Sequence, residues 1–229
     1  MTIKHSKKWL MIMALLLGAA LIVSCRPVIG LSDPNQDTGE PVQAEPPNAV
    51  TEESTSDIPT ELYQVIGSDP AEVDNSKLPR TSIEELNRTG VAPDVDITQY
   101  RLGVEGLVET PLSLTYEEIL AYPAVTEVVL LICPGFFADN AEWTGVPVTA
   151  LLEKAGIEPE ASEVVFQDIA GAYRKELPLE DILGNDSIFL AHTVNGQTLP
   201  LEHGYPLRLV AKGIFGGYWV KWVEMIEVR

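Results

Sequence analysis

The chain has 229 residues, 45% of them hydrophobic, and carries a formal net charge of −19. This length and hydrophobic content allow one sizeable core or two small ones. So large a negative charge repels the phosphate backbone of nucleic acids, which excludes them as expected partners.

The first residues have the features of an export signal. Three lysines precede an apolar stretch from Trp9 to Val23, and the small residues Ser24 and Cys25 follow. The ending "LIVSC" resembles a bacterial lipoprotein signal, which predicts a signal peptide over residues 1–24 and a lipid on Cys25. The alternative is a membrane anchor helix, for which the apolar stretch is short. We therefore expect an extracytoplasmic protein that a lipid anchors to the bacterial cell membrane.

Two segments follow the signal before the folded domain begins. Residues 25–60 are rich in Pro, Ser, Thr, Asp and Glu and show no hydrophobic period, which predicts a disordered tether. Residues 61–96 are predicted to form an N-terminal arm that leads into the domain. A short helix is predicted in "SIEELNRTG", where Ser82 would cap and Gly90 would terminate.

Strands outnumber helices in the remainder of the chain. Alternation predicts a strand in "YRLGVEGLV", and Thr115 three residues before Glu118 predicts a capping box that opens a short helix. The apolar, β-branched stretch "VTEVVLLIC" predicts a central strand. Further strands are predicted in "SEVVFQD", "SIFLAHTV", "PLRLVAKG" and "WVKWVEMIEV", further helices in "PVTALLEKAG" and "PLEDILG", and a tight hairpin turn at Asn195-Gly196. The predicted fold is α+β, a single domain with a mixed β-sheet over residues 97–229.

A cysteine stands at the end of the most apolar strand. Cys133 is followed by Pro134 and Gly135, which end the strand, and ligands are usually met where a strand gives way to a loop. The alternative is a thiol that packs as a small hydrophobic side chain. If Cys25 carries a lipid, Cys133 is the one remaining cysteine and no intrachain disulfide can form.

Basic residues concentrate near the C-terminus of this acidic chain. The segment from His203 to Lys221 also contains Arg208 and Lys212, includes the glycines of "KGIFGG", and has no acidic residue. Arginine binds phosphate with its planar fork, lysine adds a point charge, and glycines let backbone N–H groups approach, so the segment predicts an anion site. The alternative is that these bases pair with Glu202, Glu224 and Glu227.

Several motifs in order resemble the molybdopterin-binding domain of the sulfite oxidase family. They are "YRLGVEGLVETPLSLTYEEIL", the strand that ends in cysteine, "WTGVPVTALLEKAGI", "NGQTLPLEHGYPLRLV" and "GGYWVKWVEMIEV". The resemblance covers nearly all of residues 97–229. It implies a molybdenum–molybdopterin cofactor with Cys133 as the metal ligand, and a thiolate is a soft donor that suits such a metal.

The resemblance also implies which residues bind the pterin and its phosphate. His203 and Arg208 belong to the "HGxPxR" motif and Lys221 to "VKW", while Lys212 lies in the same basic segment. In the family an Arg and a His of the arm clasp the cofactor. Arg88 stands in a comparable place in "LNRTGVAP", although a glycine stands where the histidine would be.

The segment "DIAGAYRKELPLED" resembles the family segment that places a tyrosine beside the metal's oxo group. This resemblance makes Tyr173 a candidate donor of a proton or a hydrogen bond. Asp168 lies on the same stretch and is a second candidate catalytic residue. The alternative for Asp168 is that its side chain stabilises a turn next to Gly171. Trp143 is expected to be a core or rim aromatic, and Tyr218 and Trp219 to wall the pterin site.

The expected function is that of an oxidoreductase that transfers an oxygen atom, with two electrons, to or from a small substrate at the cell envelope. The stretch "CPGFFADNAEW" has Asp139 and two phenylalanines where family members that oxidise sulfite have a basic residue, which favours sulfoxide reduction. No haem attachment sequence is present, so we expect a separate electron-transfer partner such as a membrane cytochrome. The signal lacks the arginine pair used to export folded cofactor proteins. The alternative is therefore a non-catalytic, lipid-anchored binding or interaction module that keeps the fold without molybdenum.

Overall fold

A computed structural model describes residues 59–229. The predicted signal peptide, the lipidation of Cys25 and nearly all of the predicted tether lie outside the described residues. Over the described range, the helices are too short or too polar for any of them to cross a membrane.

The first of two five-stranded sheets contains both ends of the domain. Its strands in chain order are β1 (Leu102–Gly106), β2 (Leu112–Leu114), β5 (Glu163–Asp168), β6 (Arg174–Pro178) and β10 (Val223–Val228). They lie in the order β2-β1-β10-β5-β6. The pair β1–β10 is parallel and the other pairs are antiparallel, so the first and last strands of the domain are neighbours.

The second sheet is antiparallel throughout. Its strands are β3 (Val125–Cys133), β4 (Phe137–Pro147), β7 (Ile188–Val194), β8 (Gln197–Thr198) and β9 (Arg208–Ala211). The order is β3-β4-β7-β8, and β9 also pairs with β7. The two sheets together form the mixed, sheet-dominated α+β domain that the sequence predicts.

The four α-helices within residues 59–229 are short, as predicted. They are α1 (Thr60–Gln64), α2 (Tyr116–Leu120), α3 (Val148–Ala155) and α4 (Leu179–Ile182). The capping box of α2 is confirmed, because Glu118 N donates to Thr115 Oγ1 at 3.2 Å and Thr115 N donates to Glu118 Oε2 at 2.8 Å. The end of α3 is confirmed at Gly156, whose φ of 72° favours glycine.

The prediction of a central position for β3 is wrong, because β3 lies at the edge of its sheet and pairs only with β4. Both of its faces are nevertheless covered. Leu131 belongs to the main core, which joins both sheets and α3, whereas Leu130 and Ile132 pack under Leu62 and Ile66 of the N-terminal arm. A strand that is apolar on both faces need not be central when another segment covers the second face.

Three local predictions also require correction. The segment "SIEELNRTG" forms a single turn rather than a helix, in which Glu85 N and Leu86 N donate to Ser82 O. The strand ends at Cys133 as expected, but the connection covers only residues 134–136, and β4, the longest strand, begins at Phe137 where no strand was predicted. The last strand begins at Val223 rather than earlier, because the preceding Trp222 has a φ of 56° that interrupts extended backbone.

Candidate active site

The hairpin between β3 and β4 positions the thiol. Cys133 is the last residue of β3 and pairs with Phe137, the first residue of β4, across a turn in which Gly135 has a φ of 79°. Gly216 packs directly against the sulfur, since a Cβ atom on Gly216 would lie 3.0 Å from Cys133 Sγ. Partial burial raises the pKa of the Cys133 thiol, and the nearby Arg208 guanidinium opposes this shift.

Cys133 opens into a cavity of about 530 Å³, a volume within the range of small-molecule and cofactor sites. The cavity brings together residues that are far apart in the sequence. Of the residues predicted for the site, Cys133, Asp168, Tyr173, Arg208 and Lys221 line it.

Arg208 is buried without a counter-charge in contact. Its Nη1 donates to His203 O at 3.0 Å, and its Cζ lies 5.3 Å and 5.8 Å from the ring centroids of Trp143 and Trp219. Within residues 59–229, no carboxylate forms a salt bridge with it. Burial lowers the pKa of Arg208 to about 10, because the charged form is less stable away from water.

Lys221 joins two segments at the cavity wall. Its Nζ donates to Glu202 O at 3.0 Å and to Thr89 O, and lies 4.6 Å from the ring centroid of Trp222. Burial, followed by repulsion from Arg208, lowers the pKa of Lys221 to about 8. The ammonium has three N–H donors, so one remains for a ligand.

Gly204 brings these two bases together. Its φ of 121° is a conformation that side chains other than glycine rarely adopt, and an added Cβ would lie 3.0 Å from Arg208 Cβ and 3.3 Å from Lys221 Cβ. The glycine of the "HGxPxR" motif therefore allows the stems of Arg208 and Lys221 to pack side by side. The two positive charges repel each other, and a bound anion would offset this repulsion.

His203 completes the buried group, although it does not line the cavity itself. The residue is 1% exposed, and burial, with Arg208 as the next cause, lowers its pKa to about 4, so the imidazole is neutral at neutral pH. In the described residues three buried side-chain atoms lack a hydrogen-bond partner: His203 Nε2, Arg208 Nε and Trp143 Nε1. Each such atom costs about 1–3 kcal/mol when unpaired. Of the three residues only Arg208 lines the cavity, and a ligand with anionic oxygens in the cavity would pair with its guanidinium, so the site fits a phosphate-bearing cofactor.

Tyr173 and Asp168 also line the cavity. Asp168 Oδ1 accepts hydrogen bonds from Ala172 N at 2.9 Å and Tyr173 N at 3.1 Å, the arrangement of the turn aspartate that was the alternative for this residue. Tyr173 is 44% exposed, and its hydroxyl donates to Gly217 O at 2.6 Å. Asp168 thus fixes the loop, and the loop places the Tyr173 hydroxyl beside the glycine pair that covers Cys133.

Two predicted cofactor residues lie outside the cavity lining. Lys212 pairs with Glu127, and Arg88 Nη2 lies 3.6 Å from Glu202 Oε1 on the surface. Lys212 thus forms an ion pair, as in the alternative to an anion site, but with Glu127 rather than with Glu202, Glu224 or Glu227. Tyr218 is also absent from the lining, whereas Trp219 forms part of the wall as expected.

Asp139 does not face the cavity as an exposed acid. It is 3% exposed, and its carboxylate accepts hydrogen bonds from Asn87 N at 3.1 Å and Asn87 Nδ2 at 2.9 Å. Burial raises the pKa of Asp139, and the bonds from Asn87 oppose this shift. The acid in the lining is Asp168, and of the two phenylalanines only Phe137 lines the cavity.

The sequence interpretation placed the arm on the cofactor through Arg88 but missed the arm residues that line the cavity, namely Asn87 and residues 89–91. This stretch has no hydrophobic period, and its position depends on contacts with residues more than 50 positions away. Trp222 was also missed, although it directly follows the predicted Lys221. The unpaired Nε1 of Trp143 has no signal in the sequence.

Fold and cavity together define a cofactor-binding domain, in which one thiol stands beside a buried group of bases that lack an anion. The chain belongs to the oxidoreductase molybdopterin-binding domain family, whose model matches residues 89–229. This domain is therefore a molybdopterin-binding oxidoreductase domain of the type found in sulfite oxidase.

Several known proteins are similar to the chain. The oxidoreductase YuiH of Bacillus subtilis (strain 168) is 34% identical over 148 residues, which cover 64% of this chain and 74% of that protein. The NADH nitrate reductase of Volvox carteri is 30% identical over 178 residues, but the match spans only 21% of the nitrate reductase. The crystal structure of the sulfane dehydrogenase SoxCD from Paracoccus pantotrophus matches with a TM-score of 0.56 and 32% identity, over 60% of this chain and 40% of that one.

Proposed function

We propose that the chain is an enzyme that carries out two-electron oxygen-atom transfer on a small substrate. The observation that carries this proposal is the cavity in which Cys133 lies beside Arg208 and Lys221, with buried polar atoms that lack partners. When bound, molybdenum–molybdopterin supplies the two-electron exchange and the oxygen-atom chemistry. The protein supplies the binding, the orientation and the surrounding charge.

Each residue of the cavity has a separate task in this proposal. Cys133 would hold the metal as a thiolate. Burial raises the pKa of the free thiol, but a bound metal would replace the thiol proton and stabilise the thiolate. Arg208 and Lys221 would hold the phosphate of the pterin, and His203 would hold the Arg208 guanidinium in place through its carbonyl oxygen, which accepts from Arg208 Nη1. The Tyr173 hydroxyl donates a hydrogen bond to Gly217 O. In the proposed reaction it would donate this hydrogen bond, or its proton, to a substrate oxygen instead.

The lining near the sulfur favours an uncharged, sulfur-containing substrate such as a sulfoxide. Phe137, Ala172 and the glycine pair are apolar or neutral, and the acid in the lining is Asp168. Arg208 and Lys221 would be neutralised by the pterin phosphate, so the part of the cavity left for substrate holds no free cation. An anionic substrate such as sulfite would be repelled by Asp168.

We further propose that the protein works outside the cytoplasm, anchored by a lipid on Cys25, and exchanges electrons with a separate partner such as a membrane cytochrome. The support for export and anchoring is the "LIVSC" ending of the first apolar segment. The support for a separate partner is that the chain contains no haem attachment sequence.

The test is metal and pterin analysis of the full chain purified from a host that makes the cofactor, together with the variant Cys133→Ser. A hydroxyl is a hard donor that stays protonated near neutral pH, so the variant should keep most of its pterin but lose turnover and change its molybdenum spectrum. Its stability should change by no more than about 1–2 kcal/mol. Wild-type protein without molybdenum would support the non-catalytic binding module instead, and a serine variant as active as wild type would show that Cys133 is not the metal ligand.

A further inference from the structure

The N-terminal arm crosses the open edge of β4. Strand β7 pairs with β4 only from Trp143 to Pro147, which leaves the first half of β4 without a neighbour on that side. Thr81 occupies this edge: its N donates to Asn140 O at 2.8 Å, and Asn140 N donates to Thr81 Oγ1 at 3.0 Å. Asn195 Nδ2 donates to Thr81 O at 2.9 Å and fixes the crossing point.

Before the crossing, the arm lies on the face of β3 and β4 that points away from the main core. The side chain of Asn140, which is fully buried, holds it there. Asn140 Nδ2 donates to Asn75 O and Leu78 O, each at 3.2 Å, and Asn140 Oδ1 accepts from Asn75 Nδ2 at 3.0 Å. One asparagine thus satisfies several backbone and side-chain groups of a segment that has no regular ladder of its own.

After the crossing, the arm lies on the cavity side. Neighbouring residues of a strand point to opposite faces, so Asp139 points to the same face as its ladder partner Leu131, which lines the cavity. Its buried carboxylate holds both the backbone and the side chain of Asn87. Two residues further, Thr89 O accepts a hydrogen bond from Lys221 Nζ.

We propose that Asp139 is a positioning residue, which holds the arm as a wall of the cofactor cavity and thereby slows the release of the cofactor. Asp139 does not line the cavity; its carboxylate holds Asn87 of the arm, and its charge also attracts the Arg208 guanidinium. Residues 61–88 of the arm precede the segment that the family model matches. Asp139 controls the segment that touches the ligand, because Asn87 and residues 89–91 form the wall. The inference rests on the proposed function, since it assigns the arm a role toward the bound pterin.

A side-chain exchange between Asn87 and Asp139 tests this inference. Asn87→Asp alone places two carboxylates against each other, and Asp139→Asn alone replaces one of the two accepting oxygens by an NH2 group, so that one N–H group of Asn87 loses its acceptor. The double variant restores the contact in reverse, with the amide now on β4 and the carboxylate on the arm, at unchanged net charge. Asp94→Asn makes the same change of charge as Asp139→Asn at an exposed position of the arm and serves as the control.

Two measurements on the full chain separate docking of the arm from retention of the cofactor. Amide hydrogen exchange of residues 87–91 reports docking, and the rate at which pterin leaves the loaded protein after dilution reports retention. We expect each single variant to accelerate both by at least about tenfold, a factor that matches the loss of one buried hydrogen bond. The double variant should recover both rates toward wild type, and Asp94→Asn should change neither.

The outcomes distinguish the inference from the proposed function. If loaded single variants release pterin at the wild-type rate, the retention role is overturned while the proposed function stands, even if their amides exchange faster. If the double variant is no better than the singles, the Asn87–Asp139 contact is not the cause and the inference is overturned. Wild-type protein without pterin overturns the proposed function, and the retention role with it.

Discussion

The contact between Gly216 and the cysteine sulfur gives a sharp test of the site. A Cβ on residue 216 would lie 2.8 Å from Leu131 Cδ2, closer than real Cβ atoms come to a neighbour, and 3.0 Å from Cys133 Sγ, a tight contact. Leu131 is 2% exposed and lies within β3, so it has little room to move. Rotation of the Cys133 side chain could relieve the contact with Sγ, but would turn the sulfur away from the place where it faces the cavity.

Gly216→Ala should therefore lower both stability and metal content. Overpacking of this kind costs about 1–3 kcal/mol, whereas replacing glycine by alanine restricts the unfolded chain and returns about 0.4–1 kcal/mol. The expected net loss is about 1–2 kcal/mol. For a domain of this size each kcal/mol lowers the melting temperature by about 2–4 °C, so the shift should be about 2–8 °C.

Gly217→Ala is the matched control, because a Cβ on Gly217 would have no atom within 4 Å. This neighbouring substitution should leave the melting temperature unchanged or slightly raised, and the molybdenum content unchanged. Thermal unfolding and metal analysis of both variants decide the matter. Equal melting temperatures and equal molybdenum contents in the two variants would refute the close packing of Gly216 on Cys133.

Three further predictions concern the anion group and the chain terminus. Arg208→Ala should retain less pterin than Lys154→Ala, since Lys154 is an exposed residue of α3; equal pterin contents would count against the anion site. Native protein should carry an acyl mass on an N-terminal Cys25, and mass spectrometry that finds an unprocessed terminus without acyl mass would contradict it. Cofactor-free protein should lose stability as the pH falls from about 6.5 to 4, and His203→Gln should reduce this loss in denaturant titrations.

Features set by neighbouring residues could be predicted from the sequence, and the structure confirms them. Thr115 and Glu118 cap α2 because their spacing alone brings each side chain to the other's backbone. The turn at Asn195-Gly196 forms because both residues tolerate positive φ, and they have values of 46° and 73°. Neither feature needs information about the rest of the chain.

Features that depend on the chain coming together from distant positions could not be predicted in this way. The alternation in β4 is hidden because Asp139 and Asn140 are polar yet buried, each satisfied by a partner in the arm. Lys212 stands one residue beyond β9 and reaches Glu127, whereas Arg208 at the start of β9 points into the cavity. The sequence places both in one basic segment, and the register of β9 separates their roles.

The pH prediction follows from the direction in which burial shifts the buried bases. His203 has a folded-state pKa of about 4, below its ordinary value of 6.5, so between these values the unfolded chain binds more protons. The stability that neutral His203 contributes is complete above pH 6.5 and is lost as the pH falls through 4, on the order of 3 kcal/mol in all.

His203→Gln keeps a neutral side chain and cannot take up this proton, so the difference between the two pH profiles isolates the histidine from the titrating carboxylates. A bound phosphate would favour the imidazolium and raise the pKa, so protein loaded with cofactor should lose less stability over the same range. Identical profiles of stability against pH for wild type and variant, both without cofactor, would show that His203 has an ordinary pKa in the folded protein. His203 would then not belong to the buried group of bases around Arg208.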